Sequence, residues 1–249
     1  FAKWLNTAKF NILIPNQEWC RPSTLQLLPR IDKILCKTRY AEDIFKNMGL
    51  NTSYIGFTSE DHYNEDIKKD YLKFLHVAGK SLQKGTVPIA RVWSKHPDWP
   101  SLTIITHNPD LIAEFRSANI TIESQIPMER LHTLQNECGV HLCPSEAEGF
   151  GHVINESLAC GAIVVTTDAA PMNELVKPQH GYLIRYSSTS PQSLGANYYV
   201  DEELLAVTIN KIIKTEVKIL EYLGKQARIS YKKNKVDFHH SITKQIAET

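Results

Sequence analysis

Two carboxylates eight residues apart, Glu148 and Glu156, flank the glycine-rich turn Gly149-Phe150-Gly151 in the stretch CPSEAEGFGHVINESLACGAIVVTT. The apolar run that ends at Cys143 reads as a strand. Val153 to Cys160 reads as about two turns of helix, stopped by Gly161. AIVVTT is β-branched and uncharged, the composition of a buried strand. A glycine-rich loop therefore joins a strand end to a helix start. That geometry points free backbone N–H groups, and the positive end of a helix, at whatever lies outside the strand's carboxyl end. Anions bind there. Ionised carboxylates only accept hydrogen bonds, so two of them beside an anion site suit a ligand carrying both phosphate and hydroxyl groups. A nucleotide sugar is such a ligand. Lys80 and Lys84 follow a second strand end, in VAGKSLQKG, where open α/β sheets bind ligands; ordinary surface lysine is the plainer reading of both.

The elements that would hold these residues alternate along the chain. Ile12 to Ile14, Lys33 to Cys36 and Ser53 to Ile55 read as strands, with helices at Ser23 to Leu28 and Ala41 to Met48 between them. The polar stretch TSEDHYNEDIKKD, Thr58 to Asp70, has no apolar period and reads as a boundary, with residues 62–70 as linker. The alternation then restarts. Strands are expected at Phe74 to Val77, Leu102 to Ile105, Ile120 to Glu123, Val140 to Cys143, Ala162 to Thr166 and Tyr182 to Ile184. Helices are expected at Val87 to Lys95, at Asp110 to Arg116, after Pro127 with Gly139 beyond its end, and at Val153 to Cys160. Six strands with helices between them predict a doubly wound parallel sheet over residues 71–199. Ser187 to Asn197 reads as a polar loop, and residues 200–249 as helices that could pack back on the first segment. Residues 1–61 hold only two or three βα units, too few for a domain of their own. The chain begins FAKWLN, without Met, and so is expected to start part-way into a longer protein.

Composition narrows the function. Twenty-eight basic and 27 acidic residues leave a formal charge of +1, against nucleic-acid binding by basic excess. Five cysteines at 20, 36, 138, 143 and 160 form no CxxC pair and read as reduced core residues of a cytoplasmic protein. The histidines lack metal-ligand spacing, no Asp-x-Asp occurs, and neither a nucleophile elbow nor a Walker loop is present.

Four stretches in order carry a resemblance: VAGKSLQKG, SQIPMERLHTLQNECGVHLCPS, EGFGHVINESLACGAIVVTT, and AAPMNELV with HGYLI. Together they resemble the donor-binding domain of retaining glycosyltransferases with two Rossmann-like domains, the GT-B fold, family 4. The resemblance covers about 120 residues well and extends weakly to the first 60, where IGFTSED is similar to the strand end before the interdomain linker. It implies an α/β, GT-B-like chain: one complete Rossmann-like domain, a partial N-terminal one and C-terminal helices.

The resemblance also implies roles. Glu148 would contact donor sugar hydroxyls and Glu156 the ribose hydroxyls. Lys80 and Lys84 would hold the diphosphate. The family usually has Arg where Lys80 stands, and often one more residue before the second base. Lysine is a point charge and not a bidentate fork, so Lys84 is the firmer of the two. Gly149, Phe150 and Gly151, with His152 and Val153 at the helix start, would approach the sugar and phosphate through backbone, since glycine has no Cβ to obstruct them. Gln125 and Ile126 would contact the base through backbone, and Ser145 belongs to the matched Pro-Ser strand end. His107 could approach the base or phosphate or simply cap a turn. Glu18 or Trp19, in the loop PNQEW, could lie near the acceptor.

The expected function is transfer of a sugar from a nucleoside diphosphate sugar, such as a UDP- or GDP-sugar, to an acceptor hydroxyl, with retention and without cofactor or metal. The acceptor would be carbohydrate or lipid-linked, with peripheral membrane contact open to an upstream segment. An epimerase, a phosphorylase and a non-catalytic donor-binding module are the alternatives. If most of the acceptor domain lies upstream, residues 1–249 should bind donor with little or no transfer.

Overall fold

The computed structural model describes residues 2–247. Three short parallel strands, β1 (Ile12–Leu13), β2 (Lys33–Cys36) and β3 (Thr52–Tyr54), form a sheet in that order. Helices α1 (Pro22–Leu25) and α2 (Arg39–Asn47) connect them. Thr38 starts α2, its hydroxyl oxygen accepting from Ala41 N at 3.1 Å. Phe45, Ile34, Cys36 and Leu28 make a small core of their own.

A second sheet follows: β4 (Asp70–Gly79), α3 (Thr86–Ser94), β5 (Ser101–Thr106), β6 (Ile120–Glu123), α4 (Met128–Glu137), β7 (Cys138–Cys143), α5 (His152–Ala159), β8 (Ile163–Thr167), α6 (Met172–Leu175) and β9 (Gly181–Ile184). Its six strands lie parallel in the order β6-β5-β4-β7-β8-β9. A polar hairpin, β10 (Tyr186–Gln192) and β11 (Gly195–Val200), precedes α7 (Glu202–Ile213) and α8 (Val217–Ala247).

Both faces of the second sheet are covered, as a parallel sheet requires. Ile89 and Trp93 of α3, Leu205, Ile209 and Ile212 of α7 and Leu220 of α8 pack on Phe74, Leu102, Ile104, Val140 and Leu142. On the other face Leu134 meets Leu75 and Ile105, while Ile154 and Leu158 of α5 and Ala227 and Tyr231 of α8 meet Val164. Each such fully buried apolar side chain contributes roughly 1.5–3 kcal/mol, so the sheet rigidly holds the loops at its carboxyl ends. From the middle of α8, Tyr231 Oη donates to Ser59 O at 2.8 Å and Asn234 Nδ2 to Phe57 O at 2.7 Å.

The six strands fall where the apolar runs put them, with four differences in detail. First, β4 is longer than Phe74 to Val77, beginning at Asp70. Second, Asp110 to Arg116 is not an α-helix. A single 3-10 turn, Pro109–Ile112, stands there, closed by Phe115 N donating to Ile112 O and Arg116 Nε to Ala113 O. Third, Gly139 does lie beyond the end of α4, which stops at Glu137, but β7 begins at once, so Cys138 and Gly139 already belong to the strand expected from Val140. Fourth, Ser187 to Asn197 is not a loop but most of the hairpin. β10 is polar on both faces, whereas β11 turns Ala196, Tyr198 and Val200 to one side, Val200 entering the main core and Tyr198 packing on the second. Backbone pairing and side-chain pairs hold it together: the Tyr186 and Tyr198 rings have centroids 5.0 Å apart, and Ser190 Oγ lies 2.9 Å from Tyr199 Oη. No helix among the described residues is long and apolar enough to cross a membrane.

Candidate functional site

The strand order reverses between β4 and β7. From β4 the chain moves to β5 on one side, and from β7 to β8 on the other. A crevice opens at the carboxyl ends of such a neighbouring pair. The two loops that enter it are residues 80–85 after β4 and residues 144–151 after β7. They are joined directly, Glu146 N donating to Gln83 O at 2.9 Å.

Across the crevice Lys84 Nζ pairs with Glu148 Oε1, with side chains 19% and 10% exposed. Lys80 is exposed in the turn just after β4. Gly151 starts α5 with φ 105°, a left-handed backbone that favours glycine. The first N–H groups of α5, from His152 and Val153 onward, have no intrahelical acceptor. His152 is exposed, its Nδ1 2.8 Å from Ser59 Oγ. Its ring stands edge-on to Phe57 and to the buried Phe150. Burial pushes its pKa down, so the ring is neutral near pH 7.

Ser145 is fully buried. Its carbonyl accepts from Thr167 Oγ1 at 2.8 Å, and its own hydroxyl has no partner. Glu156 is half-buried on α5, accepting from Gln135 Nε2 at 3.3 Å, and burial raises its pKa. The stacked rings of His62 and His132, with centroids 3.8 Å apart, lie close by. Gln125 is exposed with φ 54°, uncommon for a residue with a Cβ. Ile126 packs against Leu134 and Ile105, fixing the turn in which Gln125 lies. His107 is exposed, and its N–H donates to Gly79 O at 2.7 Å, which ties the ends of β4 and β5 together.

The structure adds His76, Gln17 and Glu174, which the sequence reading passed over, and shows where Glu18 lies. His76, inside β4, is fully buried beneath the crevice. Its Nδ1 is 2.7 Å from Leu142 O and its Nε2 2.9 Å from Thr86 Oγ1, and desolvation lowers its pKa to about 4. A histidine inside the apolar run FLHVAG was the available signal. Gln17 is buried and donates through Nε2 to Glu148 O at 2.8 Å. A Cβ on Gly149 would come within 2.6 Å of Asn16 Cγ and of Glu18 Oε1. The loop after β1 is therefore seated directly on the glycine turn, and a side chain at Gly149 would have to displace those of Asn16 and Glu18. Burial raises the Glu18 pKa; Lys37 and Lys84 oppose that shift and Glu148 adds to it. Glu174 accepts from Arg39 N and Tyr40 N at 2.8 Å each, capping α2 from across the seam between the sheets.

The arrangement offers cations and helix N–H groups to an anion, with acceptor carboxylates on both sides. Among the described residues no group of three or more His, Cys, Asp and Glu is placed to hold a metal ion. A surface groove of about 670 Å³ lies at the amino ends of the strands near Lys69, Tyr71 and Arg228, and includes none of these site residues.

Residues 112–230 match the family model described as glycosyl transferases group 1. A curated relative, α-maltose-1-phosphate synthase of Mycolicibacterium smegmatis, is 23% identical over 128 residues, 51% of this chain and 31% of that protein. Among solved structures, the sucrose-phosphate synthase of Thermosynechococcus elongatus superposes with TM-score 0.71 at 18% identity, over 95% of this chain and 65% of that one. Anabaena HepE in complex with UDP and glucose gives TM-score 0.72 at 15% identity, over 96% of this chain and 71% of that one. The structural likeness establishes the GT-B fold. The chain spans about a third of the length of the curated relative it matches.

Proposed function

We propose, from a chain whose residues 112–230 match the model of the group 1 glycosyl transferases, that it moves a sugar from a nucleoside diphosphate to an acceptor hydroxyl, retaining anomeric configuration and needing no metal. One observation carries this reading: the Lys84–Glu148 pair and the start of α5 converge on the crevice where the sheet order reverses. HepE, of the same fold, was solved with UDP and glucose, which supports a uridine or other nucleoside diphosphate sugar as donor here.

On this reading the donor diphosphate takes Lys84 from Glu148 and lies against the N–H groups of His152 and Val153. Glu148, released, accepts from a hydroxyl of the donor sugar. Glu156 accepts from the ribose hydroxyls, and the backbone at Gln125 and Ile126 meets the base. The bond from the anomeric carbon to the phosphate oxygen breaks, and its electron pair stays on the phosphate. A helix terminus stabilises that charge by only about 0.3–2 kcal/mol, so Lys84, with Lys80 swinging in from solvent, must neutralise most of the rest. The acceptor oxygen attacks the face that the phosphate leaves, and its proton passes to the departing phosphate. The acceptor is a carbohydrate or lipid-linked hydroxyl. Five buried, unpaired cysteines support a reducing, cytoplasmic setting.

The test is incubation of the protein with labelled UDP- and GDP-sugars and an acceptor panel, with and without EDTA, reading product anomers by NMR. Transfer with retention in EDTA is expected. An inverted product refutes the front-face mechanism, and activity abolished by EDTA and restored by manganese refutes the lysine-and-helix account. No binding of either sugar nucleotide refutes the donor site.

A further inference from the structure

The register of β4 with β7 runs as far as Leu75 opposite His141, yet both strands continue, to Gly79 and to Cys143. Backbone pairing thus stops short of the crevice, and a side chain joins the two strands there. His76 of β4 places its Nδ1 2.7 Å from Leu142 O of β7 and its Nε2 2.9 Å from Thr86 Oγ1. A carbonyl oxygen has no proton to give, so Nδ1 must be the donor. Burial pushes the ring's pKa down to about 4, so Nε2 keeps its lone pair at neutral pH and the Thr86 hydroxyl must donate to it. One tautomer and one hydroxyl orientation satisfy both ring nitrogens.

Both partners lead straight to the charged residues of the crevice. Thr86 is the first residue of α3 and follows Lys84 by two positions, with Gly85 between them at φ 72°. Leu142 is followed by Cys143 and then by Pro144, whose carbonyl oxygen would lie 2.4 Å from a Cβ on Gly85. The loop that bears Lys84 is therefore pressed against the loop that bears Glu148, and His76 holds the root of each. The Lys84 charge lies close enough to lower the ring's pKa further. An apolar side chain would fill the same space without the cost of burying an imidazole. What the histidine adds is a rigid link between two backbone segments that the sheet itself does not pair.

We propose that His76 is a positioning residue for Lys84, its Nδ1–H imidazole fixing the end of β7 against the start of α3 so that Lys84 faces Glu148 across the crevice. Its bearing on activity rests on the glycosyl-transfer reading, in which Lys84 holds the donor diphosphate. Sites need their charged groups held by partners that are themselves locked in place, and the Thr86 hydroxyl is the point at which this lock can be opened without emptying the core. Valine has the shape of threonine and lacks only the hydroxyl.

The experiment labels histidine and lysine with 15N and compares the parent with Thr86→Val and Thr86→Ser, assigning His76 with His76→Asn and Lys84 Nζ with Lys84→Met. The parent should show His76 protonated at Nδ1 alone at pH 7. Thr86→Val should move the His76 Nε2 and Lys84 Nζ resonances and raise the Kd for UDP about 3- to 10-fold, and Thr86→Ser, which keeps the hydroxyl, should restore all three. His141 sits opposite Leu75 and so faces the other side of the sheet, with its Nδ1 2.7 Å from Ser157 Oγ; its resonances should stay in place. If His76 carries its proton on Nε2, or if Thr86→Val lowers Tm while Lys84 Nζ and the UDP affinity stay as they were, the positioning role is overturned, as it is if His141 moves as much as Lys84. If Thr86→Val moves Lys84 Nζ but the parent binds neither UDP nor GDP, the positioning role stands and the donor reading falls instead.

Discussion

Lys84 has two roles to separate, counter-charge to Glu148 and ligand for phosphate, and mutation can separate them. Exposed ion pairs contribute about 0–1 kcal/mol, whereas breaking a buried one costs about 3–5 kcal/mol because a charge is left unpaired. Side-chain exposures of 19% and 10% put Lys84–Glu148 between these limits, towards the buried one. Lys84→Met should therefore cost about 2–4 kcal/mol, read as a fall in Tm of roughly 5–15 °C for a chain of this size. Adding Glu148→Gln removes the stranded charge, so the double variant should recover to within about 1 kcal/mol of the parent. Binding should not recover. A charge-assisted bond to phosphate contributes about 1.5–3 kcal/mol, so calorimetric titration of UDP and GDP should find Kd raised roughly 10- to 150-fold in both Lys84 variants. Glu148→Gln alone frees Lys84 and should leave UDP affinity equal or tighter, while the extra affinity for UDP-glucose over UDP disappears. If the Lys84 variants lose stability but bind nucleotide as before, Lys84 is a structural partner of Glu148 and the diphosphate assignment is wrong.

Glu156→Ala should weaken nucleotide binding by about 1.5–3 kcal/mol through loss of a charged acceptor for ribose hydroxyls; equal titration curves for the variant and the parent would end that assignment. Glu174→Ala leaves the Arg39 and Tyr40 N–H groups without an acceptor while the Thr38 cap on Ala41 N stays in place. A loss of about 0.5–2 kcal/mol and faster amide exchange at those two residues are expected, and unchanged exchange would show that the seam does not depend on Glu174. Glu18 titrates above its ordinary value of 4.5 in the folded chain because burial disfavours its charge. The folded state then holds that proton to higher pH than the unfolded one, so the favourable contribution is complete below 4.5 and lost as pH rises through the folded value. Glu18→Gln should accordingly stabilise the protein at pH 7, with the gain shrinking as pH falls towards 4.5; a gain that grows on acidification would mean that Lys37 and Lys84 outweigh burial.

The parallel strands were legible because strands buried on both faces are written as β-branched runs, as in Ile163 to Thr167. The hairpin was not, because SSTSPQ buries little and pairs through backbone bonds, while the alternation in GANYYV is confined to Ala196, Tyr198 and Val200. The same division runs through the site. Glu148, the glycine turn and Glu156 stand in one short stretch whose chemistry is local, so their grouping survives without any knowledge of the fold. The β4–β7 adjacency that sets Lys84 against Glu148 spans 64 residues and comes only from sheet order, for which the family resemblance had to substitute.

Gln17 and Glu174 lie further still from anything local sequence can report; for Glu18 the sequence offers only its place in the loop after β1. Gln17 reaches a carbonyl 131 residues away, and Glu174 reaches amides 134 and 135 residues away. Each is an ordinary polar residue in its own segment and takes its meaning from the seam. Glu18 is the sharpest case. The turn after β1, the glycine turn after β7 and the tip of the hairpin converge on this one carboxylate, and the third of these was read as a loop. Its burial is the product of that convergence. The residues proposed for the donor can therefore be recognised one motif at a time, whereas the seam exists only once three distant segments have closed on one another. A change that loosens the seam without touching the crevice, such as Glu174→Ala, should accordingly speed amide exchange in the turn Gln17–Trp19 while leaving UDP binding at Lys84 as it was, and a loss of UDP affinity in that variant would show that the donor site depends on the closed seam.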